Sequence, residues 1–260
     1  MAASVVQDMF MLFGDSITQG AWEPGLNGFG QRLSHVYSRS LDVINRGYSG
    51  YNTEWALPLF EQFFPKREDK HAPRVQLLTV WFGANDSCIL PSIQHLPLER
   101  FKENLRKIID IVKSPESVHY SPWTRVMLLT PPPVNTHQRA ADLESRDPPL
   151  ALDRLFDTTK LYAEAVQEVG AEKGVPVVDV WQSLWNAANN DEASLGKYLT
   201  DGLHLSGAGY EIVYNLLIET IKEKCPEIYY ENLRPTFPLW RDINYENPSE
   251  TLYAGKPQTN

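Results

Sequence analysis

The chain has 260 residues, 42% of them hydrophobic, and a formal net charge of −9. That length supports one large domain with a full core, and the acidic balance argues against nucleic acid as a partner. No apolar run approaches the roughly 20 residues that cross a bilayer, so no membrane span is expected.

Two cysteines, Cys88 and Cys225, are too few for a disulfide framework and match no zinc-ligand spacing. They read as reduced thiols. The opening MAASVVQDMFMLFGDS lacks the basic start and longer apolar stretch of a signal peptide, so the expected location is cytoplasmic.

The run MFMLF (9–13) ends at Gly14 and predicts a buried strand, with GDSITQG (14–20) directly after it. LDVIN (41–45), stopped by Gly47, predicts a second strand, followed by NRGYSGYNT (45–53). VQLLTVWFG (75–83) is the third and runs into FGAND (82–86). Asn85-Asp86-Ser87 has the form of a glycosylation sequon. It reads as coincidence, because these residues are wanted for chemistry. Leu98, Phe101, Leu105, Ile108 and Val112 recur at helical steps. RVMLLT (125–130) is a fourth strand, stopped by prolines. Leu152, Leu155, Tyr162, Val166 and Val169 predict another helix, and VPVVDVW (175–181) a fifth strand. TDGLHLSGAGY (200–210) precedes a last helix carrying Val213, Leu217 and Ile221.

Strands alternating with helices predict an α/β fold, with a five-stranded parallel sheet and helices on both faces. One domain spans residues 1–225. Residues 226–260, rich in proline, aromatics and asparagine, predict an arm. Its Tyr229, Tyr230, Phe237 and Trp240 need cover, from this domain or from a second copy of the chain in a homodimer.

Sites in parallel α/β sheets form at the carboxyl ends of strands. Ser16 follows a strand and precedes a helix, so alone it reads as a turn or N-cap residue. A serine hydroxyl attacks only with a base beside it and a place for the oxyanion. His204 is the candidate base. Asp201, three residues earlier, can hold one ring nitrogen and leave the other free, as the third member of a triad does. Read alone, an Asp-His pair is more often structural. The candidate oxyanion donors are the N–H of Gly50, unobstructed by a side chain, the Asn85 amide and the Ser16 N–H. Turns are the ordinary alternative for Gly50 and Asn85. Trp22, Tyr51 and Trp81 are candidate pocket walls, with core packing as the alternative. Asp86 reads as support for the Asn85 loop, and Ser206 as the N-cap of the last helix. The other histidines lie alone without ligand spacing, so no metal is expected.

These blocks, in this order over residues 14–204, resemble the GDSL or SGNH hydrolase family. Ser16 matches the serine block, Gly50 the glycine block, Asn85 the asparagine block, and DGLH supplies Asp201 and His204. Isoleucine in GDSI replaces the family's leucine. NRGYSGYNTEWAL and PLWRD are most similar to the isoamyl acetate-hydrolysing esterases. GDSITQG lacks a glycine two places after the serine, so it is not the nucleophile elbow of α/β-hydrolases. The resemblance implies a three-layer flavodoxin-like fold and ester hydrolysis without metal or cofactor. It also implies an oxyanion held by the Ser16 and Gly50 N–H groups and the Asn85 side chain.

The expected function is a serine carboxylic ester hydrolase acting on small uncharged, acetate-type esters through an acyl-enzyme. Rival activities on the same fold are a carbohydrate O-acetylesterase, a thioesterase and a lysophospholipase. A non-catalytic binding protein would need none of Ser16, Asp201 and His204. The loops after Gly20 and between Gly83 and Leu98 look too short for a lid over a lipid chain, so acetyl to butyryl esters are the expected substrates.

Overall fold

In the computed structural model, which describes residues 7–69 and 71–252, the first apolar run forms β1 (Asp8–Gly14). The other strands are β2 (Leu41–Gly47), β3 (Val75–Trp81), β4 (Arg125–Leu129) and β5 (Val177–Val178). All pair in parallel, in the order β2-β1-β3-β4-β5. This is the flavodoxin-like doubly wound order, which reverses between β1 and β3 and opens a crevice at the carboxyl ends there.

Side chains of a strand alternate between faces, and β1 feeds two cores. Phe10 and Leu12 enter one, while Met9, Met11 and Phe13 enter the other. The first core is covered by α2 (Phe29–Val36), α7 (Val180–Ala187) and α8 (Gly207–Lys224). The second is covered by α3 (Thr53–Phe63), α4 (Leu98–Lys113) and α6 (Phe156–Lys173). Two further helices, α1 (Ser16–Gln19) and α5 (Thr136–Glu144), follow β1 and β4 at the carboxyl end of the sheet. No helix among the described residues is long and apolar enough to cross a membrane.

Two elements differ from expectation. The fifth strand shrinks to Val177–Val178, because Pro176 has no N–H and Asp179 caps α7 by accepting the Gln182 N–H. A short apolar run does not by itself separate a strand from a buried helix. The helix predicted from Leu152 begins at Phe156 instead. Asp153 is drawn aside, its carbonyl accepting the Ile89 N–H at 2.9 Å.

The arm packs on its own domain as far as Pro238. Ile228 and Tyr229 join the first core, and Tyr37 donates to the Ile228 carbonyl at 3.0 Å. Thr236 donates to the Arg39 carbonyl at 2.7 Å, and Arg125 pairs with Glu227 at 2.5 Å. Arg39 precedes β2 and Arg125 opens β4, so this stretch covers the amino ends of the strands, opposite the catalytic blocks. Beyond that point this chain does not cover the arm's aromatics in full: Trp240 is 74% exposed.

Candidate active site

β1 hands the chain to α1 within one residue. Asp15 caps that helix, its Oδ1 accepting the Ile17 N–H at 2.9 Å, which leaves Ser16 as the first helical residue. β2 ends against the same turn. A Cβ on Gly47 would lie 2.1 Å from the Gln19 nitrogen, so only glycine permits this approach. Gln19 Oε1 then accepts the Ser49 N–H at 2.9 Å. The glycine block and the serine block are therefore tied together. Asp15 is fully buried, and desolvation pushes its carboxyl up to about 7, against the lowering influence of the Ile17 bond and His204.

The DGLH block sits on a small hairpin. Leu199 bridges Leu205, and the Thr200 N–H donates to the His204 carbonyl at 2.8 Å. At its tip Gly202 has φ +81°, and a Cβ there would lie 2.4 Å from the Arg139 nitrogen. Asp201 Oδ1 accepts the N–H groups of Leu203 (3.1 Å) and His204 (2.8 Å), which explains the three-residue spacing. Its Oδ2 meets His204 Nδ1 at 2.9 Å. Burial alone would raise the Asp201 carboxyl, but the bonds from the His204 ring and these N–H groups hold it well below the usual range. An ionised carboxylate only accepts, so His204 Nδ1 carries the proton and Nε2 is free to accept. Nε2 lies 2.9 Å from Ser16 Oγ. The structure thus brings Ser16, His204 and Asp201 into one hydrogen-bonded line. Ser16 is half-buried and the His204 side chain is 40% exposed, so the reacting edge is open to solvent.

Asn85 lies at the carboxyl side of β3. Its Oδ1 accepts from Arg154 Nη2 at 2.7 Å and from Gln94 Nε2 at 3.3 Å. A guanidinium has no acceptor, so this contact fixes which end of the amide is oxygen. Nδ2 donates to the Tyr51 carbonyl at 2.8 Å and keeps a second N–H without an acceptor among the described residues. Gly50 has φ +80°, and its carbonyl accepts from Gln94 Nε2 at 2.8 Å. Neither the Gly50 nor the Ser16 backbone N–H finds an acceptor among the described residues. Three unpaired donors on neighbouring segments form an arrangement suited to a developing negative charge.

The loop supports are as expected. Asp86 accepts from the Thr53 N–H (2.9 Å), the Thr53 hydroxyl (2.6 Å) and the Gly83 N–H (3.2 Å). Desolvation still pushes its carboxyl up to about 6. Ser206 Oγ accepts the Gly209 N–H and caps α8. Asn85, Asp86 and Ser87 are all buried, so the apparent sequon is not accessible.

The three candidate pocket walls divide, with Trp81 and Trp22 turned to the core and Tyr51 left exposed. Trp81 is 2% exposed, packs on Phe29 and donates to the Thr130 carbonyl at 2.9 Å, so it belongs to the core. Trp22 packs against Gly30 of α2 and the first core. Tyr51 is exposed, packed against Tyr48 and Trp55. Beyond Asn85 the loop bears exposed Leu90 and Ile93, more apolar than expected. It is no mobile lid, since the N–H groups of Ser87, Cys88, Ile89 and Leu96 are all bonded to protein carbonyls.

Sequence reasoning missed Gln94, Arg139, Asp153 and Arg154. Arg139, one turn into α5, donates to Asp201 Oδ2 at 2.9 Å and bidentately to Asp153 at 3.0 and 2.9 Å. Arg154 joins Asp153 to Asn85. The one signal was an Asp-Arg pair between Leu152 and Leu155, where a helix face would hide charge. Among the described residues no cluster of three or more His, Cys, Asp or Glu could hold a metal ion.

Residues 12–212 match the GDSL-like lipase/acylhydrolase family. The isoamyl acetate-hydrolyzing esterase 1 homolog of Bos taurus is 35% identical over 244 residues, covering 93% of this chain and 90% of that protein. The isoamyl acetate-hydrolyzing esterase of Saccharomyces cerevisiae is 29% identical over 243 residues, covering 91% and 95%. The crystal structure of the lipase/acylhydrolase from Enterococcus faecalis has 27% identity and a TM-score of 0.59, covering 89% of this chain and all of that one.

Proposed function

This chain belongs to the GDSL-like lipase/acylhydrolase family and is a carboxylic ester hydrolase, and we propose that it cleaves small uncharged, acetate-type esters through an acyl-enzyme on Ser16. The observation that carries the reading is the unbroken line Ser16 Oγ, His204 Nε2, His204 Nδ1, Asp201 Oδ2, each contact 2.9 Å.

In this mechanism His204 Nε2 takes the Ser16 proton as Oγ bonds to the ester carbonyl carbon. The carbonyl oxygen becomes an oxyanion, held by the N–H groups of Ser16 and Gly50 and the free Asn85 N–H. Collapse breaks the bond to the alcohol oxygen, which leaves with the proton from His204. Water, deprotonated by His204, then attacks the acyl-Ser16 carbonyl; the bond from the acyl carbon to Oγ breaks, Oγ takes the proton back from His204, and the acid is released. Asp201 holds the ring in the useful tautomer and stabilises the transient imidazolium.

Three features support a small uncharged substrate. The isoamyl acetate-hydrolyzing relatives match over most of the chain. Tyr51, Leu90 and Ile93 lie exposed on the two segments that Gln94 ties together, an apolar flank suited to alkyl groups. The well-bonded loop beyond Asn85 is not built to fold over a long chain.

Two measurements test this. Fluorophosphonate should label the wild type, and Ser16→Ala should abolish labelling and lower turnover by roughly three or more orders of magnitude with the fold intact. Near-wild-type turnover in that variant would sink the mechanism. Across p-nitrophenyl acetate, butyrate, octanoate and palmitate, kcat/KM should peak at acetate or butyrate. A maximum at octanoate or beyond would move the substrate class to lipids or thioesters.

A further inference from the structure

We propose that Arg154 is a positioning residue that aims and polarises the oxyanion donor Asn85, and that a chain of alternating charges, its two arginines buried and its two carboxylates partly so, anchors it to the triad acid. The inference rests on the proposed role of Asn85 and names what makes that role work.

Arg154 is only 3% exposed, and each of its three guanidinium nitrogens donates one hydrogen bond. Nε donates to the Ala84 carbonyl at 2.7 Å, Nη2 to Asn85 Oδ1 at 2.7 Å, and Nη1 to Asp153 Oδ2. One side chain thus grips both the backbone before the asparagine and the asparagine's own oxygen. Two consequences follow. First, the amide cannot rotate its oxygen toward the reacting centre, where it would repel an oxyanion. Second, a cation on Oδ1 draws density from the amide nitrogen, making its free N–H a stronger donor.

The far end of the chain explains how a buried cation is tolerated there. Asp153 also takes a bidentate contact from Arg139, and Arg139 donates to Asp201 Oδ2 at 2.9 Å. Burial alone would raise the Asp153 carboxyl, but the two guanidiniums hold it below its usual value. Arg154, Asp153, Arg139 and Asp201 therefore alternate in sign and compensate one another, which a buried ion requires. They also connect four chain segments, residues 84–85, 139, 153–154 and 201–204. The asparagine end and the histidine end of the site are held in one frame.

The test is a double-mutant cycle between Arg154→Lys and Asn85→Ala, with kcat counted per fluorophosphonate-titrated site. Lysine keeps the charge but lacks the planar fork that reaches three fixed acceptors. Deleting an oxyanion donor costs about 10²- to 10³-fold, so misaiming one should cost about 10- to 100-fold in kcat with KM nearly unchanged. In the Asn85→Ala background the same Arg154→Lys change should cost less than about 3-fold. Equal losses in both backgrounds, or no loss in either, would overturn the positioning role. An unchanged kcat in Asn85→Ala alone would overturn the oxyanion reading first, and this inference with it. Asp153→Asn, which keeps shape and removes one charge, runs through the same cycle and carries the test should Arg154→Lys not fold. Because Asp153 also braces Arg139 and through it Asp201, its kcat loss should shrink without Asn85 rather than vanish, and an equal loss in both backgrounds would overturn the proposal.

Discussion

Asp15→Asn should stabilise this protein at neutral and alkaline pH while changing little in acid. Asparagine caps a helix about as well as aspartate, so the bond to the Ile17 N–H survives. What disappears is a carboxyl that burial lifts from 3.8 to about 7. Because the folded value lies above the unfolded one, the fold favours the protonated form. The stability this group contributes is fully present below about pH 4 and is lost as pH rises through about 7. The rise corresponds to about 4 kcal/mol, an order-of-magnitude figure. Carboxylates held low, such as Asp201, give the opposite slope in both proteins and cancel in the comparison. Urea unfolding of wild type and variant at intervals from pH 4 to 8.5 measures the difference. It should be small near pH 4 and grow to about 4 kcal/mol in favour of Asn above pH 8. A difference that stays constant across the range, or grows in favour of Asp15, would refute the reasoning.

Asn85→Ala should lower kcat about 10²- to 10³-fold with KM little changed, because its free N–H meets charge that appears only in the transition state. Steady-state kinetics in which KM carries the loss would make Asn85 a ground-state contact instead. Gly202→Ala puts a Cβ 2.4 Å from the Arg139 nitrogen at a φ of +81°, so it should cost about 1–3 kcal/mol and displace the hairpin carrying His204. Thermal unfolding and turnover should fall together, and a wild-type melting temperature would show that the hairpin yields freely. Deleting residues 226–260 removes buried Ile228, Tyr229 and Thr236 and should lower the melting temperature by several degrees. Since the packed part of the arm covers the amino ends of the strands, kcat/KM of the folded fraction should be unchanged. Lost activity in a well-folded truncation would mean that the arm reaches the site.

Residues near in sequence were legible. Apolar runs closed by glycine or proline marked the first four strands; in β1, β3 and β4, buried along nearly their whole length, this follows from the continuous hydrophobicity that a strand covered on both faces needs, while the edge strand β2 was marked by its shorter run before Gly47. Asp201 and His204 stand three apart on a turn, so local geometry alone brings them together, whereas the helix cap beside Ser16 proved to be Asp15 rather than the serine itself. That Ser16 should meet His204 across 188 positions was legible only through the order of the motif blocks. The parallel sheet decided the contact, by delivering both segments to one end of the strands. The edge strand at Val177, the start of α6 and the core place of Trp81 were decided by tertiary contacts, since each run also fits another local structure. Arg139, Asp153 and Arg154 left almost no trace in the sequence. A charged residue reads as surface until the fold supplies an opposite charge beside it, and here those partners come from segments that meet only when the chain is folded.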